Sequence, residues 1–210
     1  MNAIPLRDDN IFYPESDGQP MGETELHRDE IVYLIEAFRE RFETETDVHV
    51  SGNLFFYYRQ GDPKAVVCPD VMVIPGIPPG QRRTYKLWEE KKVPSLVVEV
   101  TSDSTIQEDL TRKKACYERL GVEEYFLHDP LAEALSPPIQ GFRLAAGRYQ
   151  KISPEADGSL VSRTTGVTLR MEGERIRLVE TATGRPLRRI HELRAEIARL
   201  RDELEHRRTG

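Results

Sequence analysis

A chain of 210 residues, 38% hydrophobic and 31% charged, is long enough for one well-buried core with something left for an appendage. A formal net charge of −6 speaks against a protein that coats nucleic acid without specificity, but it leaves room for a site whose acids hold a cation. No stretch approaches the roughly 18 consecutive apolar residues of a membrane helix, and the start MNAIPLRDDNIFYP lacks the basic segment and apolar run of a secretory signal.

Residues 1–24, rich in Pro, Gly and acids, predict an irregular lead-in. From His27 to about Phe42, Ile31, Leu34, Ile35, Phe38 and Phe42 recur at helical spacing, so an amphipathic helix is expected there. Val48-His49-Val50 and Leu54 to Tyr58 read as strand, with Ser51-Gly52-Asn53 as a bend or bulge between them. Ala65 to Ile74 reads as another strand, closed by the loop Pro75 to Gly80. A basic connector carrying Arg82, Arg83, Lys86, Lys91 and Lys92 leads to SLVVEVT, residues 95–101. The nearly continuous apolar run there marks a central strand covered on both faces.

A second helix follows, with Ser104 and Thr105 as cap candidates, Gln107 and Glu108 three residues after each, and Gly121 placed to end it. Glu124 to His128 is a short strand. The expected core is therefore an α/β fold in the order α-β-β-β-α-β with a mixed sheet. Residues 140–180 add hairpins that extend the sheet or fold over its edge. From about Pro186, Ile190, Leu193, Ile197, Leu200 and Leu204 alternate by three and four among charges, a short heptad seam that favours a C-terminal coiled-coil helix and self-association. These divisions give a lead-in 1–24, a domain 25–183 and a C-terminal helix 184–210. Cys68 and Cys116, isolated and far apart, predict two small buried side chains in a reducing cytoplasm, neither a disulfide framework nor a zinc site.

Lys113 carries the first chemical signal. Ile106, Leu110, Tyr117 and Leu120 define the apolar face of its helix, and an advance of about 100° per residue puts Lys113 close to the centre of that stripe. Lys114 points away and can be solvated. An ammonium on a core-facing stripe must snorkel out or find anionic partners. Partners are at hand. Glu99 interrupts Leu96-Val97-Val98 and Val100, and Asp70 opens the run Val71 to Ile74 after Pro69. Two acids on adjacent strands, about 4.8 Å apart, can converge on one divalent cation, with the backbone carbonyl of Val100 as a further oxygen ligand. Oxygen-only ligation favours Mg²⁺ or Mn²⁺ over zinc. A lysine beside such a cation can orient or deprotonate a water and offset charge on a phosphorane-like transition state.

Pro69-Asp70, Glu99 in EVTSDST and DLTRKKACYERLGVEEYFLHDP (109–130) together resemble the bacterial Uma-two group of restriction-endonuclease-like proteins. YPESDGQPMGETELHRDEIVYLIEAF and RRTYKLWEE at 82–90 resemble one branch of it, so the likeness covers roughly residues 10–180. The resemblance implies a PD-(D/E)XK fold, Asp70 and Glu99 as metal ligands, and DNA as substrate. That superfamily usually carries its lysine two residues after the glutamate, where this chain has Thr101; in this group the lysine sits on the following helix, and Lys113 matches it. His27, on the same helix face as Ile31, Ile35 and Phe42, is a secondary candidate where the superfamily often places an accessory acid, against its reading as a partly buried, satisfied histidine. Tyr117 reads as core with a hydrogen bond to the site, Asp109 as an anchor for Lys113 or a first-turn residue, and Asp129 as a strand-end turn residue. The leading expectation is an Mg²⁺-dependent endonuclease acting as a homodimer. The alternative is a protein of the same fold that binds or regulates without cleaving and dimerises through its C-terminal helix.

Overall fold

The structure is a computed structural model that describes residues 11–16, 18 and 24–209, so the expected lead-in lies largely outside the described residues. Helix α1 (Glu25–Arg41) starts at Thr24, whose hydroxyl accepts the His27 N–H at 3.2 Å and so satisfies one of the open donors of the first turn. Its buried stripe includes Ile31, Leu34 and Phe38.

The central sheet is six-stranded, in the order β1 (Val48–Ser51), β4 (Val71–Pro75), β6 (Leu96–Val100), β7 (Glu124–His128), β8 (Ile139–Ala145) and β9 (Arg148–Lys151). Only the β6–β7 pair is parallel. Between them runs the second helical segment, as a crossover between parallel strands requires. Taking α1, β1, β4, β6, that segment and β7 in order reproduces the expected α-β-β-β-α-β core with a mixed sheet.

The expected strand Ala65–Ile74 is two strands in two sheets. β3 (Val66–Val67) pairs with β2 (Phe56–Tyr57), which also pairs in parallel with β5 (Tyr85–Lys86); β4 belongs to the central sheet. The break falls at Cys68-Pro69-Asp70, where Pro69 has no N–H to give a ladder. The expected strand from Leu54 to Tyr58 likewise leaves the central sheet and is reduced to β2. The basic connector folds into β5 and the short helix α2 (Leu87–Glu90).

The second helix is not continuous. It runs as α3 (Ile106–Glu108), a π-helical turn over Asp109–Lys113 and α4 (Lys114–Leu120), ending at Gly121 with φ 85°. The expected side-chain cap does not form at Thr105, whose hydroxyl instead accepts the Ser102 N–H at 3.0 Å. The hairpins take both expected courses. β8 and β9 extend the central sheet, while β10 (Leu160–Ser162), β11 (Val167–Glu172) and β12 (Arg175–Glu180) form a separate antiparallel sheet.

Two hydrophobic layers follow from the alternation of side chains along the central strands. On one face Val71, Val73, Leu96, Val98 and Val100 meet α1, which is covered in turn by Leu169, Ile176 and Leu178 of the small antiparallel sheet. On the other face Met72, Ile74 and Val97 meet Ile106, Cys116 and Tyr117 of the α3–α4 segment and Phe56 and Tyr85 of the β2–β3–β5 sheet. Both cysteines are free of disulfide bonds; Cys116 is buried as expected, whereas Cys68, at the break between β3 and β4, is only partly buried. The chain ends in helix α5 (Ile190–Thr209). Among the described residues no helix is long and apolar enough to cross a membrane.

Candidate active site

Strands β4 and β6 set the positions of the two acids. Their antiparallel register pairs Val71 with Val98 and Met72 with Val97. Continued by one step, it sets Asp70 opposite Glu99. Alternation then turns both side chains to the face that carries Met72 and Val97, under the α3–α4 segment. Asp70 replaces a ladder bond with its own side chain: Oδ2 accepts the Val100 N–H at 2.8 Å, while the Asp70 N–H donates to Glu99 Oε2 at 3.2 Å. The break in the predicted strand is thus where the site begins.

Glu99 is fully buried, and both of its oxygens are engaged. Oε1 accepts the Tyr117 hydroxyl at 2.7 Å, and Oε2 lies 3.0 Å from Lys113 Nζ. Lys113 also lies 3.0 Å from Asp109 Oδ1, one turn earlier, and its side chain is 15% exposed. Asp109 is itself buried and tied down twice: Oδ2 accepts the Thr101 hydroxyl at 2.8 Å, and its backbone carbonyl accepts the Tyr125 hydroxyl at 2.9 Å. The π-helical turn spans Asp109 to Lys113, a feature frequent at functional sites.

The electrostatics of this cluster are unbalanced. Asp70, Glu99 and Asp109 bring three carboxyl groups to one ammonium. Burial and the charge of Glu99 push the Asp70 carboxyl well above the usual range, against the pull of Lys113 and the Val100 N–H. Protein atoms crowd that carboxyl although Asp70 keeps a rim open to solvent. Burial raises Glu99 too, with Lys113 opposing. Burial works against the Lys113 ammonium, yet Glu99, Asp70 and Asp109 outweigh it and raise its pKa above the ordinary lysine value. Burial likewise raises the Tyr117 hydroxyl, which remains a donor to Glu99.

Of the residues singled out in the sequence, Asp70, Tyr117 and Lys113 therefore each bond to Glu99, and Asp109 joins them through Lys113. Val100 ends β6 beside them. Lys114 is not simply solvated: its ammonium sits 3.6 Å from the centroid of the Phe142 ring. His27 is nearly buried on α1, which packs on the face of the sheet opposite to that of Glu99. Asp129 accepts the N–H groups of Leu131, Ala134 and Leu135, the turn role expected of it. Sequence reasoning missed Thr101 and Tyr125 as supports of Asp109. Thr101 carried a signal, since it stands where the superfamily's lysine would be; Tyr125 carried none beyond its strand.

Gly52, read in the sequence only as part of a bend, also borders the site. A Cβ there would lie 2.1 Å from the Asp70 carbonyl oxygen and 2.7 Å from Ile35 Cδ1. Gly52→Ala is expected to displace the Asp70 backbone from its place beside Glu99, with a loss of stability of about 1–3 kcal/mol. Thermal denaturation checks the stability, and titration with Mn²⁺ checks whether binding weakens with it.

A family model for Uma2, described as "Putative restriction endonuclease", matches residues 6–172, well over half of the chain. The chain belongs to the Uma2 family. The matched span includes every residue of the Asp70–Glu99–Lys113 cluster and stops before α5. Among solved structures, one of "a putative nuclease belonging to DUF820" from Anabaena variabilis is similar, at 13% identity and a TM-score of 0.49, over 72% of this chain and 81% of that one. No curated protein matches the chain.

Proposed function

We propose that this Uma2 protein is a divalent-cation-dependent endodeoxyribonuclease, hydrolysing DNA phosphodiester bonds with Asp70, Glu99 and Lys113. The charge balance carries the reading. Lys113 pairs with Glu99 and Asp109, and Asp70 adjoins Glu99, so three carboxyl groups share one ammonium; burial raises Asp70 and Glu99 above the usual range. With all three ionised the set would exceed the ammonium by two negative charges, which one divalent cation would balance.

The donor set fits such a cation. Asp70 and Glu99 offer carboxylate oxygens from neighbouring strands, and the Val100 carbonyl offers a third oxygen, a hard set that suits Mg²⁺ or Mn²⁺. Among the described residues no three His, Cys, Asp or Glu side chains are placed to hold a metal ion together, so two carboxylates and the carbonyl would need water to complete the coordination. When bound, the cation supplies Lewis-acid polarisation of the scissile phosphodiester.

Lys113, 3.0 Å from both Glu99 and Asp109, is placed to donate hydrogen bonds and offset developing negative charge. Asp109, itself braced by Thr101 and Tyr125, holds the ammonium toward Glu99, and Tyr117 fixes the Glu99 carboxylate from the other side. His27 has no part in this scheme, since its helix packs on the other face of the sheet. The protein acts as a homodimer assembled through α5 and core contacts, in a reducing cytoplasm where both cysteines persist as thiols.

Plasmid cleavage tests the reading. Nicking or linearisation is expected with Mg²⁺ or Mn²⁺ and not with a chelator. Lys113→Ala should slow cleavage by about a hundredfold or more, the scale for removing one preorganised donor, while Lys114→Ala should retain most of it. Intact DNA under all conditions would favour a protein of this fold that binds without cleaving.

A further inference from the structure

Helix α5 is anchored at its start and then leaves the core. Arg177 grips Glu192 with two bonds of 2.8 and 2.6 Å, and the buried Arg189 reaches Glu30 at 3.0 Å and the Ile176 carbonyl at 2.7 Å. Beyond this anchor Ile197, Leu200 and Leu204 are 49, 44 and 59% exposed, a continuous apolar stripe with no cover from the described residues of its own chain.

The pattern on the helix specifies what covers it. With Ile190 as the first a position of a heptad, the a positions are Ile190, Ile197 and Leu204, and the d positions are Leu193, Leu200 and, at the helix end, Arg207. A β-branched residue at a with leucine at d is the combination that favours two parallel strands. The same frame sets Glu196 and Glu203 at g, and Arg194, Arg201 and Arg208 at e. In a parallel pair in register each g residue faces the e residue of the next heptad on the other helix. Glu196 then meets Arg201 of the second copy, and Glu203 meets its Arg208. In an antiparallel pair g faces g and e faces e, which opposes Glu to Glu and Arg to Arg.

We propose that α5 pairs in parallel and in register with α5 of a second copy of this chain. The proposal rests on the self-association stated above and adds its orientation. In the single chain Arg199, at a c position, engages Glu196 at 2.6 Å and Glu203 at 3.1 Å. Such exposed pairs contribute little, so exchanging them across the interface costs little. Orientation has a consequence for the sites. A helix of 20 residues spans about 30 Å. Parallel pairing keeps both cores at one end of it, so that both Asp70–Glu99 clusters can approach one duplex; antiparallel pairing sends the cores to opposite ends.

Disulfide trapping of the full-length protein at micromolar concentration tests the orientation, with wild type as the control for Cys68 and Cys116 and sedimentation run in parallel. Leu200→Cys is expected to give a cross-linked dimer on oxidation, because the two d positions face each other. A mixture of Leu193→Cys and Leu204→Cys chains of different lengths is expected to give no mixed cross-link. A dimer by sedimentation in which Leu200→Cys fails to cross-link, or in which the mixed pair does, overturns the parallel arrangement while self-association stands. A wild-type monomer overturns self-association itself, and the orientation with it.

Discussion

Replacing Glu99 with glutamine is expected to abolish cleavage without unfolding the protein. The side chain sits where Tyr117, Lys113 and the Asp70 N–H converge. Glutamine keeps the shape: its carbonyl oxygen can accept from Lys113 and the Asp70 N–H, and its amide can donate to the Tyr117 hydroxyl, which also accepts. What is lost is one negative charge in a site that already holds more than its single ammonium balances. Burial penalises that charge, as its raised pKa records. Removing it should leave the metal-free protein as stable as wild type or more so, since a buried charge short of compensation destabilises the folded state. Cleavage should fall by at least about a hundredfold, the scale for removing one preorganised electrostatic group. Thermal denaturation in chelator, beside plasmid cleavage in Mg²⁺, separates the two effects. A variant that loses both stability and activity would mean that Glu99 holds the fold together rather than a cation.

The opposite behaviour is expected at Glu30, where the acid is structural. Glu30 is fully buried and receives the Ile176 N–H at 2.8 Å, with Arg189 at 3.0 Å and His128 Nε2 at 3.2 Å. Burial pushes its carboxyl up, but hydrogen bonds from His128 and Ile176 and the charge of Arg189 outweigh this and hold it below the ordinary value of 4.5. Here the negative charge is compensated from several sides. Glu30→Ala strands the buried Arg189 guanidinium and the Ile176 N–H, at a cost of about 3–5 kcal/mol. For a chain of this size that lowers the melting temperature by on the order of 10 °C. Glu30→Gln, which keeps an acceptor for Ile176, should lose less. Because the folded pKa is depressed, the stabilisation is present above about 4.5 and is lost as pH falls from there through the folded value. Wild type should therefore lose stability over that acid range more steeply than Glu30→Ala. Denaturant melts at several pH values check it, and equal slopes would show that Glu30 is not the group that titrates.

The contrast between these two glutamates shows what was legible in the sequence. Glu99 stood out because an acid in a continuous apolar strand must have a reason, and Lys113 because an ammonium on a helix's apolar stripe must too. The phase argument for Lys113 assumed a regular helix, whereas the segment contains a π-helical turn. The residue was found nonetheless, because Asp109, Lys113 and Tyr117 stay one turn apart on the face that meets β6. The break at Pro69-Asp70 was only partly legible: Pro69 has no N–H to give a ladder, but the Val100 N–H that the Asp70 side chain accepts there lies 30 residues away. Glu30 was hidden for the same reason. Its partners His128 and Arg189 lie 98 and 159 residues along the chain, and a glutamate on an amphipathic helix looks like any solvated charge until tertiary structure buries it. Lys114 looked solvated because the turn of chain that brings Phe142 beneath it lies in a later strand.

The central claim is that Asp70 and Glu99 together hold one divalent cation, and calorimetric titration with Mn²⁺ tests it most directly. Wild type is expected to bind one ion per chain, and the site-specific heat is expected to disappear in both Asp70→Asn and Glu99→Gln while each variant remains folded by circular dichroism. Undiminished binding of one ion per chain in both folded variants would contradict the account.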